Sequence, residues 1–504
     1  METATVRLDG SYRIGPVDRR VFGSFAEHMG RGVYGGLYEP GHATEIEGTG
    51  LRGDVLRLTR ELGVTTVRYP GGNFVSSHFW EDGVGPRNDR PRTIDLAWRT
   101  VESNEFGLHE FIDWTRRAEV APYLVVNLGT RGPKDAADLV EYCNHPAGTR
   151  LSDRRRRNGA PDPFGVKLWG LGNEMDGSWQ VGHRSARSYG EVAAQAAQAM
   201  KLVDPSIETV LCGSSHTGMP SYVAWEAEAL EAAYEYVDYV SLHQYYDPEK
   251  SDEASFLASA VAMDRHIEDV VAAVDFVRAK QGRDRRVNLA FDEWNIWYQS
   301  RFVEPYEWEL SDDPRVVIED DFTVRDAVVA GSLLMTLLRH ADRVRIGCQA
   351  QLVNVIAPIR TADGRPAWKQ PIFHPFALMS QHAHGEVMRV ELAAPTVPTS
   401  RFGPVPAVDV TATYDDATGR LALFAVNRGP EAIALDVTAT GFGDLVVARH
   451  QSMAAADGGD AQPSTGRPRD VPPARGGDTC HQMLPPVSWN LISFAPAEDA
   501  ADPT

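Results

Sequence analysis

Eight apolar, β-type runs recur along the first 350 residues, near positions 21, 65, 122, 167, 209, 237, 287 and 343. Helical patterns separate most of them. Leu51, Val55, Leu58 and Leu62 recur at helical spacing, and Ser185 to Val203 is a long amphipathic stretch. Eight strand–helix units over this length point to a (β/α)8 TIM barrel, expected over residues 17–375. In such a barrel chemistry sits at the C-terminal ends of the strands. Glu27, Asn73, Glu174, Tyr245, Glu293 and Gln351 all follow apolar runs and fall at that end.

After Pro375 the pattern changes. Val387–Leu392, Val408–Tyr414, Arg420–Asn427, Ala432–Ala439, Asp444–His450 and Ser488–Phe494 are short β-type runs separated by turns. They predict a C-terminal antiparallel β-sandwich over residues 376–504. The weak alternation of Val6, Leu8, Tyr12 and Ile14 reads as an edge strand, so residues 1–16 are expected to join that sandwich. Ala454–Asp478 is rich in Gly, Pro and Asp and predicts a mobile loop. Arg154–Arg157, within a polar stretch, predicts a solvated loop.

The totals exclude several partners. A formal charge of −20 repels phosphate backbones, so no nucleic acid is expected. No apolar run approaches a membrane span. The N-terminal stretch lacks a basic region followed by an apolar one, so no secretory signal is expected. Cys143, Cys212, Cys348 and Cys480 form no CxxC pair, which argues against a zinc site or a disulfide framework and fits a cytoplasmic location. His78, His183 and His216 sit at no ligand spacing. Neither metal nor cofactor is expected.

The chemistry is carried by two glutamates. Lys167–Asp176 (KLWGLGNEMD) is an apolar strand stopping at Asn173-Glu174, and Val287–Trp294 (VNLAFDEW) stops at Asp292-Glu293. Two strand-ending carboxyls from distant parts of the chain suit glycoside cleavage, in which one protonates the leaving oxygen and the other meets the anomeric carbon. Glu174 is the acid/base candidate, because the apolar residues before it (Leu168, Trp169, Leu171) predict a dehydrated carboxyl. Glu293 is the nucleophile candidate, kept ionised by a hydrogen bond from Tyr245. Asn173 offers an amide to a sugar hydroxyl.

Five ordered stretches resemble the α-L-arabinofuranosidases of glycoside hydrolase family 51, in clan A. They are FGSFAEHMGRGVYGGLYEPGH from Phe22, VRYPGGNFVSSHFWEDGVGP from Val67, LWGLGNEMDGSWQ from Leu168, FDEWNIWY from Phe291, and AQLVNVIAPI from Ala350 with the later FHPF. The resemblance runs from about Val21 to Phe494. It implies a retaining mechanism with Glu174 as acid/base and Glu293 as nucleophile. Glu27, Arg68, Asn73, Asn173, Tyr245 and Gln351 would surround the furanose, and Trp98 and Trp297 would be aromatic walls on the leaving-group side. It also implies a barrel with a jelly-roll-like sandwich, hexameric assembly, and small arabinose-containing oligosaccharides as substrates.

Other readings stay open at this point. Arg68 also reads as only the salt-bridge partner of a strand-end carboxylate, though such an Arg can fix a catalytic Glu as well, and Trp98 and Trp297 also read as core residues, though their polar loops favour a binding wall. His28, His243 and Asp292 read as packing or supporting residues. Ser77-His78-Phe79, Gln244 and Gln349 depart from the family pattern and are expected at the pocket rim. The acidic, aromatic loop Ser300–Asp321 is placed to cover the site. The same fold serves β-xylosides, β-glucans or other furanosides. A non-catalytic carbohydrate-binding protein is the rival from another class.

Overall fold

The computed structural model describes residues 2–303, 308–455, 467–471 and 479–498. Eight parallel strands close into a barrel: Gly23–Phe25, Thr66–Tyr69, Ala121–Val126, Leu168–Leu171, Glu208–Leu211, Tyr239–Tyr246, Asn288–Ile296 and Val344–Gln349. Their inward side chains, among them Tyr123, Val125, Leu168, Val210, Ala290 and Ile346, form a small core inside the barrel. A far larger core lies between the strands and the helices outside.

The first strand is shorter than the apolar run near position 21 suggests. Arg19–Phe22 is a 3-10 turn started by Asp18, whose side chain accepts the Arg20 N–H, so pairing begins only at Gly23. The helices fall close to the predicted spans, at Gly53–Leu62, Ala186–Val203 and Val324–Arg339. Arg154–Arg157 corrects the sequence reading: it closes a helix, Arg150–Arg157, started by the Thr149 side chain. Arg155 on its inner face is fully buried and donates to the carbonyls of Tyr142, His145, Pro146 and Ala160.

Among the described residues the β-rich remainder comprises a two-stranded hairpin, Thr396–Thr399 with Gly403–Pro406, and a nine-stranded sheet that curls around a second core of Val6, Leu8, Val408, Leu421, Leu435 and Ile492. The N-terminal strand Glu2–Pro16 lies inside it. It pairs antiparallel with Glu386–Ala393 but parallel with Ile433–Thr440, so one ladder of the sheet is not antiparallel. Sheet and barrel meet along helix Val324–Arg339, where Gly331 packs on Trp489 and Arg339 pairs with Asp409 at 2.9 Å. Of the expected loop Ala454–Asp478, residues 456–466 and 472–478 lie outside the described residues. Within the rest, Arg469–Asp470 pairs with Gln451–Ser452. Among the described residues no helix is long and apolar enough to cross a membrane.

Candidate active site

Arg68 organises the C-terminal mouth of the barrel. It lies one residue before the end of the second strand and is 1% exposed. Its Nη1 donates to Glu293 Oε1 at 2.8 Å and its Nη2 to Asn173 Oδ1 at 2.8 Å, while Nε stands 3.4 Å from Asp292 Oδ2. One guanidinium thus joins the second, fourth and seventh strands. Both readings of Arg68 hold together: it is a salt-bridge partner, and one of its partners is the candidate nucleophile.

Asp292 and Glu293 are neighbours that both reach this centre, although adjacent residues of a regular strand point to opposite faces. The ladder explains it. Register shifts fall between Ala290 and Glu293 on one side of the strand and between Phe291 and Trp294 on the other. Such a bulge re-aims a side chain. Glu293 Oε2 accepts the Tyr245 hydroxyl at 2.9 Å, as the sequence reading expects. Asp292 Oδ2 accepts the Tyr123 hydroxyl at 2.6 Å.

Glu174 follows the fourth strand in a left-handed backbone conformation (φ 43°), a strained arrangement typical of functional positions. Its carboxyl does not lie in the apolar surroundings that the strand before it suggests. Oε2 accepts the Trp179 indole N–H at 2.8 Å, Oε1 lies 3.1 Å from His243 Nδ1, and the side chain is 12% exposed.

Glu27 forms the third corner. Its carboxylate accepts the Trp98 indole N–H at 2.9 Å, the Phe74 backbone N–H at 3.0 Å and the Gln351 amide at 3.2 Å. Burial pushes its pKa up to about 8, only partly offset by the Phe74 and Trp98 donors, and the Glu293 charge adds to the rise. Asn73 accepts from the Asn173 amide at 3.4 Å, and Trp297 packs edge-on against Tyr245 at 5.3 Å. All ten expected site residues therefore gather at one end of the barrel. Trp98 and Trp297 reach this cluster and also belong to the packing outside the barrel, Trp98 as a buried member of the large core and Trp297 against it.

Loop Ser300–Asp321 is fastened to the segment that carries Trp98. Ser311 O accepts the Val101 N–H at 2.9 Å, and the Ser311 N–H donates to Arg99 O at 3.2 Å. Its far end is clamped by Glu319, which Arg31 and Arg360 hold at 2.7 and 3.1 Å. Residues 304–307 of this loop lie outside the described residues. Gln349 is not at the rim: it is 1% exposed and donates to Asn295 at 3.2 Å.

The PGG turn after the second strand explains why glycine stands at position 72. A Cβ there would lie 3.1 Å from Glu27 Oε2 and 3.3 Å from Glu293 Oε1. Gly72→Ala is therefore expected to lower kcat/KM by several-fold, because both carboxylates must give way by a few tenths of an ångström at the reacting centre. The melting temperature should barely change, and steady-state kinetics beside a thermal melt check both.

Sequence reasoning misses one contributor, Trp179, which is quoted within a motif and carries no expected role. His243 and Asp292, expected as supporting residues, act as such: His243 touches both Glu174 and Glu293, and Asp292 reaches them through Arg68 and His243. His243 Nε2 lies 3.2 Å from Asp292 Oδ1, and its Nδ1 lies 3.5 Å from Glu293 Oε2 as well as 3.1 Å from Glu174. The alternation that places Tyr245 inward also places His243 inward, which is the sequence signal for these contacts.

Burial disfavours charge on His243, but the pull of Glu293 and the contacts with Asp292 and Glu174 prevail and raise its pKa to about 10. Burial likewise works to raise Asp292, yet Arg68, His243 and Ser241 hold it at about 2. Burial pushes Glu293 upward, opposed by His243 and Arg68. Glu174, His243 and Glu293 present ligand-type atoms within 4.8 Å of one another. Within this trio His243 Nδ1 is hydrogen-bonded to Glu174 and stands within ion-pair reach of Glu293.

These shifts set a stability window. The folded His243 binds its proton more tightly than an unfolded histidine with a pKa of about 6.5, so its contribution is full below about pH 6.5 and is lost as pH rises toward about 10. Asp292 contributes above about pH 3.9 and loses that contribution as pH falls toward about 2. Thermal melts of wild type and His243→Gln across pH are expected to differ most between about pH 4 and 6.5 and to converge toward pH 10. His243→Gln should flatten the alkaline side.

Comparison with known proteins decides the family. The model of the α-L-arabinofuranosidase 1 domain matches residues 58–263, and that of the α-L-arabinofuranosidase C-terminal domain matches residues 292–488. A solved family 51 α-L-arabinofuranosidase from Bifidobacterium longum superposes with a TM-score of 0.93 at 42% identity, over 98% of this chain and 100% of that one. The chain belongs to the family 51 α-L-arabinofuranosidases. The enzyme is 46% identical to the intracellular exo-α-(1→5)-L-arabinofuranosidase 1 of Bacillus subtilis strain 168, over 98% of this chain and 99% of the relative. It is 49% identical to the intracellular exo-α-(1→5)-L-arabinofuranosidase of Streptomyces lividans, over 98% of this chain and 76% of the relative.

Proposed function

We propose that the enzyme releases terminal, non-reducing α-L-arabinofuranosyl residues from arabinan- or arabinoxylan-derived oligosaccharides, (1→5)-linked arabinan fragments foremost, by double displacement. Glu174 is the acid/base and Glu293 the nucleophile. The observation that carries the mechanism is the proximity of the two carboxyls: oxygens of Glu174 and Glu293 lie within 4.8 Å of each other. Retaining enzymes hold their carboxyls about 5–5.5 Å apart, whereas inverting ones need about 6.5–9.5 Å to admit a water.

Glu174 protonates the glycosidic oxygen as Glu293 bonds to the anomeric carbon. Glu174 then takes a proton from water, and that water releases the sugar from Glu293. Arg68 and the Tyr245 hydroxyl hold the nucleophile ready to attack. Glu27, Asn73, Asn173 and Gln351 supply hydrogen-bonding groups around the furanose, with Trp98 and Trp297 as walls.

The linkage rests on the relatives. Several are named for exo-α-(1→5) cleavage, and one from Bifidobacterium longum for exo-α-(1→6) cleavage. The test is turnover of (1→5)- and (1→6)-linked arabino-oligosaccharides, arabinoxylo-oligosaccharides, 4-nitrophenyl α-L-arabinofuranoside and 4-nitrophenyl β-D-xyloside. Activity on the arabinofuranosides, with arabinose as sole small product, is expected. Activity confined to the xyloside would overturn the sugar assignment. The names of the first two relatives support a location inside the cell, where a cytoplasmic enzyme would meet imported oligosaccharides. The family resemblance favours a hexamer, which light scattering would test.

A further inference from the structure

We propose that His243 is a positioning residue that follows the negative charge between the two catalytic carboxyls: its Nδ1–H serves Glu293 before glycosyl transfer and Glu174 afterwards. The inference rests on the roles proposed above for those two glutamates.

The charge balance of the reaction motivates it. Before the first step Glu174 is a neutral acid and Glu293 an anion. In that step the bond from the anomeric carbon to the leaving oxygen breaks, a bond to a Glu293 oxygen forms, and the Glu174 proton goes to the leaving oxygen. Glu293 is then a neutral ester and Glu174 an anion. The pair carries one negative charge throughout, but that charge changes residue. A cation that stabilises only one carboxylate would favour one intermediate at the expense of the other.

The contacts single out His243. Arg68 reaches Glu293 and Asp292, and the Tyr245 hydroxyl reaches Glu293. The Trp179 indole reaches Glu174 and is 43% exposed. His243 Nδ1 lies between the two carboxyls, 3.1 Å from Glu174 Oε1 and 3.5 Å from Glu293 Oε2. Its Nε2 faces Asp292 Oδ1 at 3.2 Å, so Asp292 anchors the far side of the ring. His243 is paired with Glu293 in the strand register and is 3% exposed, which fixes its place relative to the nucleophile.

The charged and titratable groups around the ring are consistent with a permanent imidazolium. Glu174 faces it from the fourth strand, and Asp292 and Glu293 from the seventh. Arg68, on the second strand, is bound to the latter two. Tyr245 lies on its own strand, and His266 on helix Ser259–Lys280 is held neutral by burial and by the charge of His243. The catalytic pair carries one negative charge at every stage and Asp292 a second, and together they outweigh the one guanidinium. His243 keeps both its protons through the cycle and donates a hydrogen bond without transferring a proton.

Two variants test this. His243→Asn keeps a neutral amide donor near the Nδ1 position, and His243→Gln places one near Nε2; neither carries the charge. Two steps are read. One is kcat/KM on 4-nitrophenyl α-L-arabinofuranoside. The other is kcat on the 2,4-dinitrophenyl glycoside, whose leaving group needs no acid, so that release from Glu293 limits.

Both constants are expected to fall about tenfold or more, and both limbs of the pH profile to move upward by about one unit, because removing a nearby cation makes both carboxyls harder to ionise. A loss of activity with unmoved limbs would mean a merely structural role and overturn the proposal. So would a loss confined to kcat/KM with release intact. If either variant fails to fold in a thermal melt, ¹⁵N shifts of wild-type His243 decide the matter. A doubly protonated ring is expected before and after trapping with a 2-fluoro arabinofuranosyl inactivator, and a neutral ring in either state contradicts the proposal. Azide rescue of Glu174→Ala and Glu293→Ala judges the underlying roles separately, so failure of that reading is distinguishable from failure of this one.

Discussion

Glu293→Ala is expected to abolish turnover of 4-nitrophenyl α-L-arabinofuranoside, by roughly 10⁴-fold or more, because it removes the atom that bonds to the sugar. Nothing nearby replaces it. Asp292 is the adjacent carboxylate, but Tyr123, Ser241, Arg68 and His243 engage it from all sides. Azide entering the space left by Glu293 should restore activity and give an arabinosyl azide of inverted configuration. Glu174→Ala should lose about 10²–10⁴-fold on substrates with poor leaving groups, the usual contribution of a positioned acid. It should lose far less on dinitrophenyl glycosides, and azide should restore it with retained configuration. Product analysis by NMR after each rescue assigns the roles independently of rate.

Arg68→Met is the second large effect. Arg68 is fully buried and spans Glu293, Asp292 and Asn173 with one rigid fork. Removing it leaves two carboxylates short of their shared counter-charge, and breaking a buried ion pair in this way destabilises by about 3–5 kcal/mol. His243 compensates in part, because it touches both Asp292 and Glu293. The midpoint of chemical denaturation should therefore fall clearly, and kcat/KM should drop by at least roughly 10²-fold as the nucleophile loses its orientation. Arg68→Lys keeps the charge but not the three-way geometry. It should recover much of the stability and little of the activity. Equal recovery of both would mean that charge alone matters.

Much of this architecture was legible in the chain. The barrel strands are apolar runs with helical stretches between them, as parallel strands covered on one side by helices must be. Glu174 and Glu293 stood out because each follows such a run. What stayed hidden depends on pairing partners. The bulge at Asp292–Glu293 is a property of the ladder with both neighbouring strands, so no local pattern aims both carboxyls at Arg68. Arg155 sits in a run of four arginines that reads as solvated. Helical geometry turned only that one inward, onto carbonyls that the sequence does not display as a set. The apolar body of the Lys167 strand suggested a dry Glu174, but the Trp179 indole and the His243 ring close over its carboxyl from other segments. The parallel pairing of the N-terminal strand with Ile433–Thr440 joins residues more than 400 positions apart, which no local pattern encodes.

The central claim is that two carboxyls less than 5 Å apart act by double displacement. The most direct test follows hydrolysis of 4-nitrophenyl α-L-arabinofuranoside in dilute methanol by proton NMR at early times. Trapping by methanol is necessary because free arabinofuranose loses its anomeric memory in water. The account predicts methyl α-L-arabinofuranoside, the product of net retention. Formation of the β-anomer would show a single inverting displacement and contradict it.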